Sequence, residues 1–338
     1  MNDFIKLNDE QKRFLITQTN IKTGLPLQVI EKDLWVTAML QVIFSLPLAD
    51  KIIFKGGTSL SKVWGLIARF SEDIDLAIGR EVFGEEFRGD LSKRNIKKLR
   101  KASSIYVRDE FCNILTAEIK KYGLADYLKA VPQNDGFGDG TYPEPRKIFI
   151  HYPTLFGSSE LSDYISAEIV LEISSRSLIE PFERRKIKSI VSETLSYNTD
   201  IVDCEISTAM PAKTFLEKAF LLHELFSTDG INLANRKSRH LYDLEKMMDQ
   251  QFAVDAIVDN ELWNTISHHR EIFTPLKDVD YSSDIRDKIV LIPPTDIIDE
   301  WRKDYEEMKS QMIYGEKLTF DELIVRTTKL QTMFRERI

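Results

Sequence analysis

The spacing of apolar positions changes period along the chain and separates an α/β half from a helical half. In Asp73-Ile74-Asp75-Leu76-Ala77-Ile78, the residues Ile74, Leu76 and Ile78 recur at every second position. That alternation predicts a strand with one core-facing side, and it sends Asp73 and Asp75 together to the other side. Upstream, the short apolar run Ile52-Ile53-Phe54 closes in Gly56 and Gly57, as a buried strand does when it enters a tight turn. From Leu60 the apolar residues Val63, Trp64 and Ile67 recur at helical spacing, so a helix is expected after the turn, with Thr58 or Ser59 as N-cap. A further alternation runs through Ala167–Ile173. There Ile169, Leu171 and Ile173 share one face, and Glu168, Val170 and Glu172 share the other.

Asn8 with Gln11 reads as a capping box opening a first helix, and Pro26 suits the first turn of a second, through Glu31, Leu34 and Met39. A charged helical insert is expected over 80–130, a strand near 147–151 and another over 164–174, with the Gly/Asn/Asp-rich stretch 134–143 as a loop. Beyond residue 205 the pattern is helical: 211–226, 239–250, 258–270, 295–312 and 319–335, the last opened by a Thr319/Glu322 capping box. The fold class is therefore α+β, with an α/β lobe over 1–205 and a helical lobe over 206–338.

The chemistry lies in residues 52–78. Glycines let a backbone approach a phosphate closely, and a helix start offers N–H groups and a favourable dipole, so Gly56, Gly57, Thr58 and Ser59 are candidates for cradling a triphosphate. Two positions along a strand place Asp73 and Asp75 roughly 6–7 Å apart at the backbone, close enough for their carboxylates to converge on one or two hard cations. Paired metals of this kind activate an attacking hydroxyl and neutralise a leaving pyrophosphate. A third acid would come from the 167–173 strand, as Glu168 or Glu172. Lys62 and Arg69 lie within the same unit and are candidates for nucleotide contact.

The words Lys55-Gly56-Gly57-Thr58-Ser59-Leu60 and Arg69-Phe70-Ser71-Glu72-Asp73-Ile74-Asp75-Leu76 resemble those of the AbiEii-type nucleotidyltransferase toxins. These are abortive-infection and type IV toxin–antitoxin proteins of the polymerase-β-like superfamily. The resemblance extends to Glu31-Lys32-Asp33, Glu217-Lys218, Arg239-His240-Leu241-Tyr242-Asp243-Leu244 and the Trp301–Met308 region, and is weakest over 81–140. It implies a polymerase-β-like N-terminal lobe with a mixed sheet. It favours Glu172 as the third acid and Mg²⁺ as the metal. It also makes Lys218, ahead of Lys213, a triphosphate-binding lysine, and Asp243 a second essential acid that closes the same pocket. On that reading Asp243→Ala, like Lys218→Ala, cuts turnover with thermal stability almost unchanged. The implied acceptor is RNA, most naturally a tRNA 3′ end, so that translation stops, and a neutralising antitoxin is the implied partner.

Composition constrains the acceptor and the compartment. With a net charge of −8 over 338 residues, RNA contact must come from local basic patches. The densest is Lys93, Arg94, Lys97, Lys98, Arg100 and Lys101; others are Arg184–Lys188 and Arg236–Arg239. Two cysteines, Cys112 and Cys204, make no disulfide scaffold or metal motif. With no signal-peptide pattern and no apolar run long enough to span a membrane, a reduced, cytoplasmic setting is expected. Two alternatives stand beside an RNA acceptor: a small acceptor of the aminoglycoside type, or a non-catalytic nucleotide-binding interaction module.

Overall fold

The computed structural model describes residues 3–71, 73–134, 142–156, 167–228, 236–281 and 284–338. Most of the loop expected at 134–143 lies outside them. The chain divides into two compact units, Met1–Val63 with Ser71–Thr208, and Trp64–Phe70 with Ala209–Ile338.

The first unit is built on a mixed seven-stranded sheet: β1 (Ile52–Lys55), β2 (Ile74–Ile78), β3 (Lys129–Pro132), β4 (Arg146–His151), β5 (Glu168–Ser174), β6 (Phe182–Arg185) and β7 (Ile206–Ala209). The strand order is β3-β4-β5-β2-β1-β7-β6. β2 runs antiparallel to β1 and parallel to β5, and β4 runs antiparallel to both β5 and β3. The alternations read from the sequence set the inward face: Ile74, Leu76, Ile78, Ile148, Ile150, Ile169, Leu171 and Ile173 are buried together. They share a core with Trp35, Met39, Leu40 and Ile43 of α3 (Leu27–Ile43), a helix buried on nearly every side. The insert supplies α5 (Lys93–Tyr106), a π turn, and α6 (Cys112–Lys121), whose Leu115 and Ile119 join this core.

Before these, α1 (Asp3–Lys6) precedes α2 (Asp9–Thr23), which starts at the expected capping box, with Asn8 and Gln11 each bonding the other's backbone N–H. The short α4 (Gly56–Lys62) and α7 (Ile190–Leu195) complete the unit. The four-residue strands β3, β6 and β7 are not anticipated by the sequence pattern; so short a run carries too little alternation to register.

The second unit comprises α8 (Pro211–Ser227), α9 (Arg239–Met247), α10 (Gln251–Val258), α11 (Asn260–Phe273), α12 (Ile298–Gln311) and α13 (Phe320–Glu336). Phe220 of α8 packs on Trp263 at 4.4 Å between ring centroids, and Phe215 stacks on Phe334 at 5.7 Å. The Thr319/Glu322 capping box opens α13 as expected.

One expectation about the division is corrected. Residues 64–70, read as part of the first lobe, belong to the second unit. Trp64 Nε1 donates to the Ala209 carbonyl at 3.1 Å, Phe70 N–H to Met312 O at 2.8 Å, and Tyr314 N–H to Ala68 O at 3.1 Å. Arg69 forms an isolated β-bridge with Ile313. The helix after the turn correspondingly stops at Lys62, and Val63, Trp64 and Ile67 do not extend it.

Candidate active site

In the first unit, charged residues line up across the sheet. Register pairs Asp75 with Lys55 on one side and with Glu172 on the other, and pairs Glu172 in turn with Lys147. Paired positions present their side chains to the same face, so four strands contribute one row: Lys55, Asp75, Glu172, Lys147. Asp73 sits two residues before Asp75 on that face. Both aspartates are half-buried, whereas the intervening Ile74 is fully buried.

The register also separates the two candidates for a third acid. Glu172 lies beside Asp75, while Glu168 is four residues away along the same face, paired with His151 at 3.2 Å. Glu172 Oε1 is held by Lys147 Nζ at 2.8 Å. Burial alone pulls the Lys147 ammonium down. Its bond to Glu172 and the charges of Glu172, Asp73 and Asp75 outweigh that, and keep it above the usual lysine range. Lys147 escaped the sequence reading. Its signal was present in Arg146-Lys147-Ile148-Phe149-Ile150, which places it opposite the buried isoleucines, but its neighbours depend on register.

The glycine turn abuts this row. Gly56 has φ +79°, and a Cβ built there would fall 1.9 Å from Asp75 Oδ2, so both its conformation and its neighbour require glycine. The expected N-cap is revised: α4 begins at Gly56 itself, with Lys55 in the cap position and no side-chain cap bond. Thr58 Oγ1 donates to the Asp73 carbonyl at 2.5 Å and lies 2.9 Å from Ser71 Oγ; Ser59 Oγ donates to Gly56 O at 2.8 Å. Both residues are buried; Thr58 ties the turn to the start of β2, and Ser59 closes the turn on itself.

Lys62 is tied into the first unit. Its Nζ bonds Asp33 Oδ1 at 2.5 Å and the Lys188 carbonyl at 3.2 Å, and Asp33 Oδ2 accepts from Ile190 N–H at 2.7 Å. Glu31 likewise accepts from Leu155 N–H at 2.6 Å and from the Thr154 hydroxyl at 3.0 Å. The Glu31-Lys32-Asp33 stretch thus anchors α4, α7 and the loop at 154–156.

The second unit has its own charged centre. Asp243 accepts from Arg69 Nε at 2.7 Å and Nη2 at 2.8 Å, and its Oδ2 lies 2.9 Å from Lys218 Nζ. Lys218 Nζ also lies 3.4 Å from His240 Nδ1. All four side chains are buried. Burial would raise the Asp243 carboxyl, but Arg69 and Lys218 hold it down at about 2. Burial lowers Lys218, with Arg69 and Arg239 adding to the effect against Asp243. Burial and Lys218 push His240 well below the usual imidazole value, so it stays neutral, and its Nε2 has no hydrogen-bond partner among the described residues. Arg69, a candidate for nucleotide contact, is the bidentate partner of Asp243. Asp243 is thus a fully buried anion shared by two cations.

The basic cluster at 93–101 forms α5, opened by Ser92, whose hydroxyl accepts from Asn95 N–H. Lys93, Arg94, Lys97, Lys98, Arg100 and Lys101 are all exposed. Among the described residues none of the six forms an ion pair; Arg100 Nε donates to the Tyr142 carbonyl and Lys101 lies over the Tyr142 ring. By contrast Arg185 pairs with Glu183 and Lys186 with Asp203. Among the described residues no helix is long and apolar enough to cross a membrane.

No curated protein shows significant sequence similarity to the chain. Two solved structures share its extent at low identity. JHP933 from Helicobacter pylori is 14% identical, with 92% of this chain and 93% of that one covered and a TM-score of 0.44. MenT4, a nucleotidyltransferase toxin from Mycobacterium tuberculosis H37Rv, is 13% identical, with 96% and 97% covered and a TM-score of 0.41. Residues 38–326 match the family described as nucleotidyl transferase AbiEii toxin, type IV toxin–antitoxin system. That match takes in the glycine turn, the acid row and the buried Arg69–Asp243–Lys218 centre, and the chain belongs to the AbiEii nucleotidyltransferase toxin family.

Proposed function

We propose that this nucleotidyltransferase moves a nucleotide from a nucleoside triphosphate to an RNA 3′ end, most naturally that of a tRNA, and so stops translation. The observation that carries the reading is the pair Asp73 and Asp75 on the solvent side of β2, with Gly56 seated against Asp75. In the reaction the acceptor hydroxyl oxygen bonds the α-phosphorus, the bridging P–O bond to the β-phosphate breaks, and pyrophosphate leaves. The hydroxyl proton passes to a carboxylate of the row or to solvent.

The donor set suits a hard divalent cation such as Mg²⁺, which takes one or two carboxylates and fills its remaining positions with water and substrate phosphates. Asp73 and Asp75 would hold it, with Glu172 alongside. Among the described residues no three acidic, His or Cys side chains already converge as a metal cage. A bound cation supplies charge neutralisation at the phosphates and a more acidic acceptor hydroxyl. The chain's own part is to fix the start of β2, which carries both carboxylates, through the Thr58 bond to the Asp73 backbone carbonyl, and to bring the Gly56–Ser59 backbone close to the phosphates. Lys218 is assigned to the triphosphate, and Asp243 to orienting that lysine. A co-encoded antitoxin is the partner that the type IV family implies.

The test is incubation with each labelled nucleoside triphosphate and total RNA. Label should enter an RNA band with wild-type protein, and should vanish with Asp73→Asn, with Asp75→Asn or with a chelator. Transfer by either variant at wild-type rate would exclude the assignment. Absence of RNA labelling alongside transfer to a small hydroxylated acceptor would move the reading to the small-molecule class.

A further inference from the structure

The acid row places like charges side by side. Asp75 and Glu172 are direct register partners on adjacent strands, and Asp73 shares their face. Like charges in that relation repel, and in the metal-free protein something must offset them. Two cations belong to the row: Lys55, the register partner of Asp75, and Lys147, whose Nζ lies 2.8 Å from Glu172 Oε1. The same β4–β5 ladder contains an internal comparison. His151 and Glu168 form a similar cross-strand pair, but β2 pairs with β5 only from Leu171 to Ser174, so no aspartate lies beside Glu168. Of the two pairs, only Lys147–Glu172 adjoins Asp75.

We propose that Lys147 is the resident counter-cation of Glu172 within the acid row. In the metal-free enzyme its ammonium holds Glu172, and a divalent cation at Asp73 and Asp75 gains Glu172 only as that ion pair opens. The lysine thereby sets the threshold at which the site loads metal, and once released it faces the incoming phosphates. This rests on the assignment of Asp73 and Asp75 as metal-binding carboxylates.

The experiment uses the full chain and Mn²⁺ alone, without nucleotide, followed by calorimetric titration and by thermal unfolding with and without the metal. Lys147→Gln should lower the metal-free unfolding midpoint and bind Mn²⁺ more tightly. The gain should be roughly two- to five-fold, the range set by half-exposed ion pairs. Lys147→Arg keeps the charge and should behave as wild type, as should His151→Gln in the comparison pair. In a Glu172→Gln background, Lys147→Gln should give no further tightening. Unchanged or weaker Mn²⁺ binding by Lys147→Gln would overturn the proposal, as would an equal gain in the Glu172→Gln background. If the double variant Asp73→Asn, Asp75→Asn bound Mn²⁺ like wild type, the metal assignment itself would fall and this inference with it.

Discussion

The Arg69 guanidinium grips the Asp243 carboxylate through two parallel hydrogen bonds, at 2.7 and 2.8 Å, across 174 positions of sequence. Neither side chain is more than 2% exposed, and Lys218 shares the same carboxylate. Removing Asp243 therefore leaves two buried cations without their anion. Breaking such a pair from one side costs about 3–5 kcal/mol. The expectation that Asp243→Ala leaves stability almost unchanged is thus replaced: urea unfolding of this variant should show a large loss, separate from any effect on transfer. An unfolding midpoint equal to wild type would contradict the buried centre.

His240 gives a pH signature to the same centre. Its folded pKa lies well below the unfolded value of about 6.5, so the unfolded chain binds more protons as pH falls. Stability should fall below pH 6.5, by at most about 1.4 kcal/mol per unit from this group. His223, held down at about 4 by burial, adds a slope of the same sign, so the quantity to measure is wild type minus His240→Gln. Asp243 acts at lower pH. Its depressed carboxyl contributes stability above about pH 4, lost as pH falls through about 2. A His240→Gln variant with an unaltered profile between pH 6.5 and 5 would show that the imidazole is not held neutral.

Gly56 and Gly24 form a matched pair of left-handed glycines. Gly24 has φ +72° with nothing within 4 Å of an added Cβ, so Gly24→Ala should cost only the backbone strain, about 1–2 kcal/mol. Gly56→Ala adds a collision with the Asp75 carboxylate. A displacement of about 1 Å at a reacting centre can cost about 10² in rate, so Gly56→Ala should lower both stability and transfer, and Gly24→Ala stability alone. Urea titration and a transfer assay on the two variants distinguish them.

α5 should govern any dependence of RNA binding on salt. Each phosphate contact contributes roughly 0.7–0.9 to the slope of log affinity against log salt. Replacing Lys97, Lys98, Arg100 and Lys101 with glutamine should flatten that slope by up to roughly 3 and weaken RNA binding, while nucleoside triphosphate binding stays unchanged. An identical slope in the variant would remove α5 as the RNA-contacting face.

Local patterns in the sequence carried much of the fold. The capping boxes at Asn8 and Thr319, the alternation through Ile74–Ile78, and the helical character of the second half are all written in neighbouring residues and appear in the structure, although α10 (Gln251–Val258) falls between two expected helices. Pairing partners were less legible. Lys62 and Arg69 read as nucleotide contacts because they adjoin the motif, yet Asp33 and Asp243 claim them from remote segments. Lys147 went unnoticed for the converse reason: its companions Glu172 and Asp75 come from other strands, and strand register is not spelled out in any one of them.

The excursion of residues 64–70 into the second unit also bears on synthesis. The segment between the glycine turn and the acid strand leaves the ribosome long before the helices that enclose it. At about 5–20 residues per second, Arg69 waits roughly 10–35 s for Asp243 to be made. Throughout that interval the nascent chain holds an unmatched guanidinium in a stretch that can reach its final environment only after the ninth helix emerges. A cut after Thr208 would make the delay permanent: the leading fragment would keep Arg69, the trailing fragment Asp243, and neither would contain a complete core for the helical half.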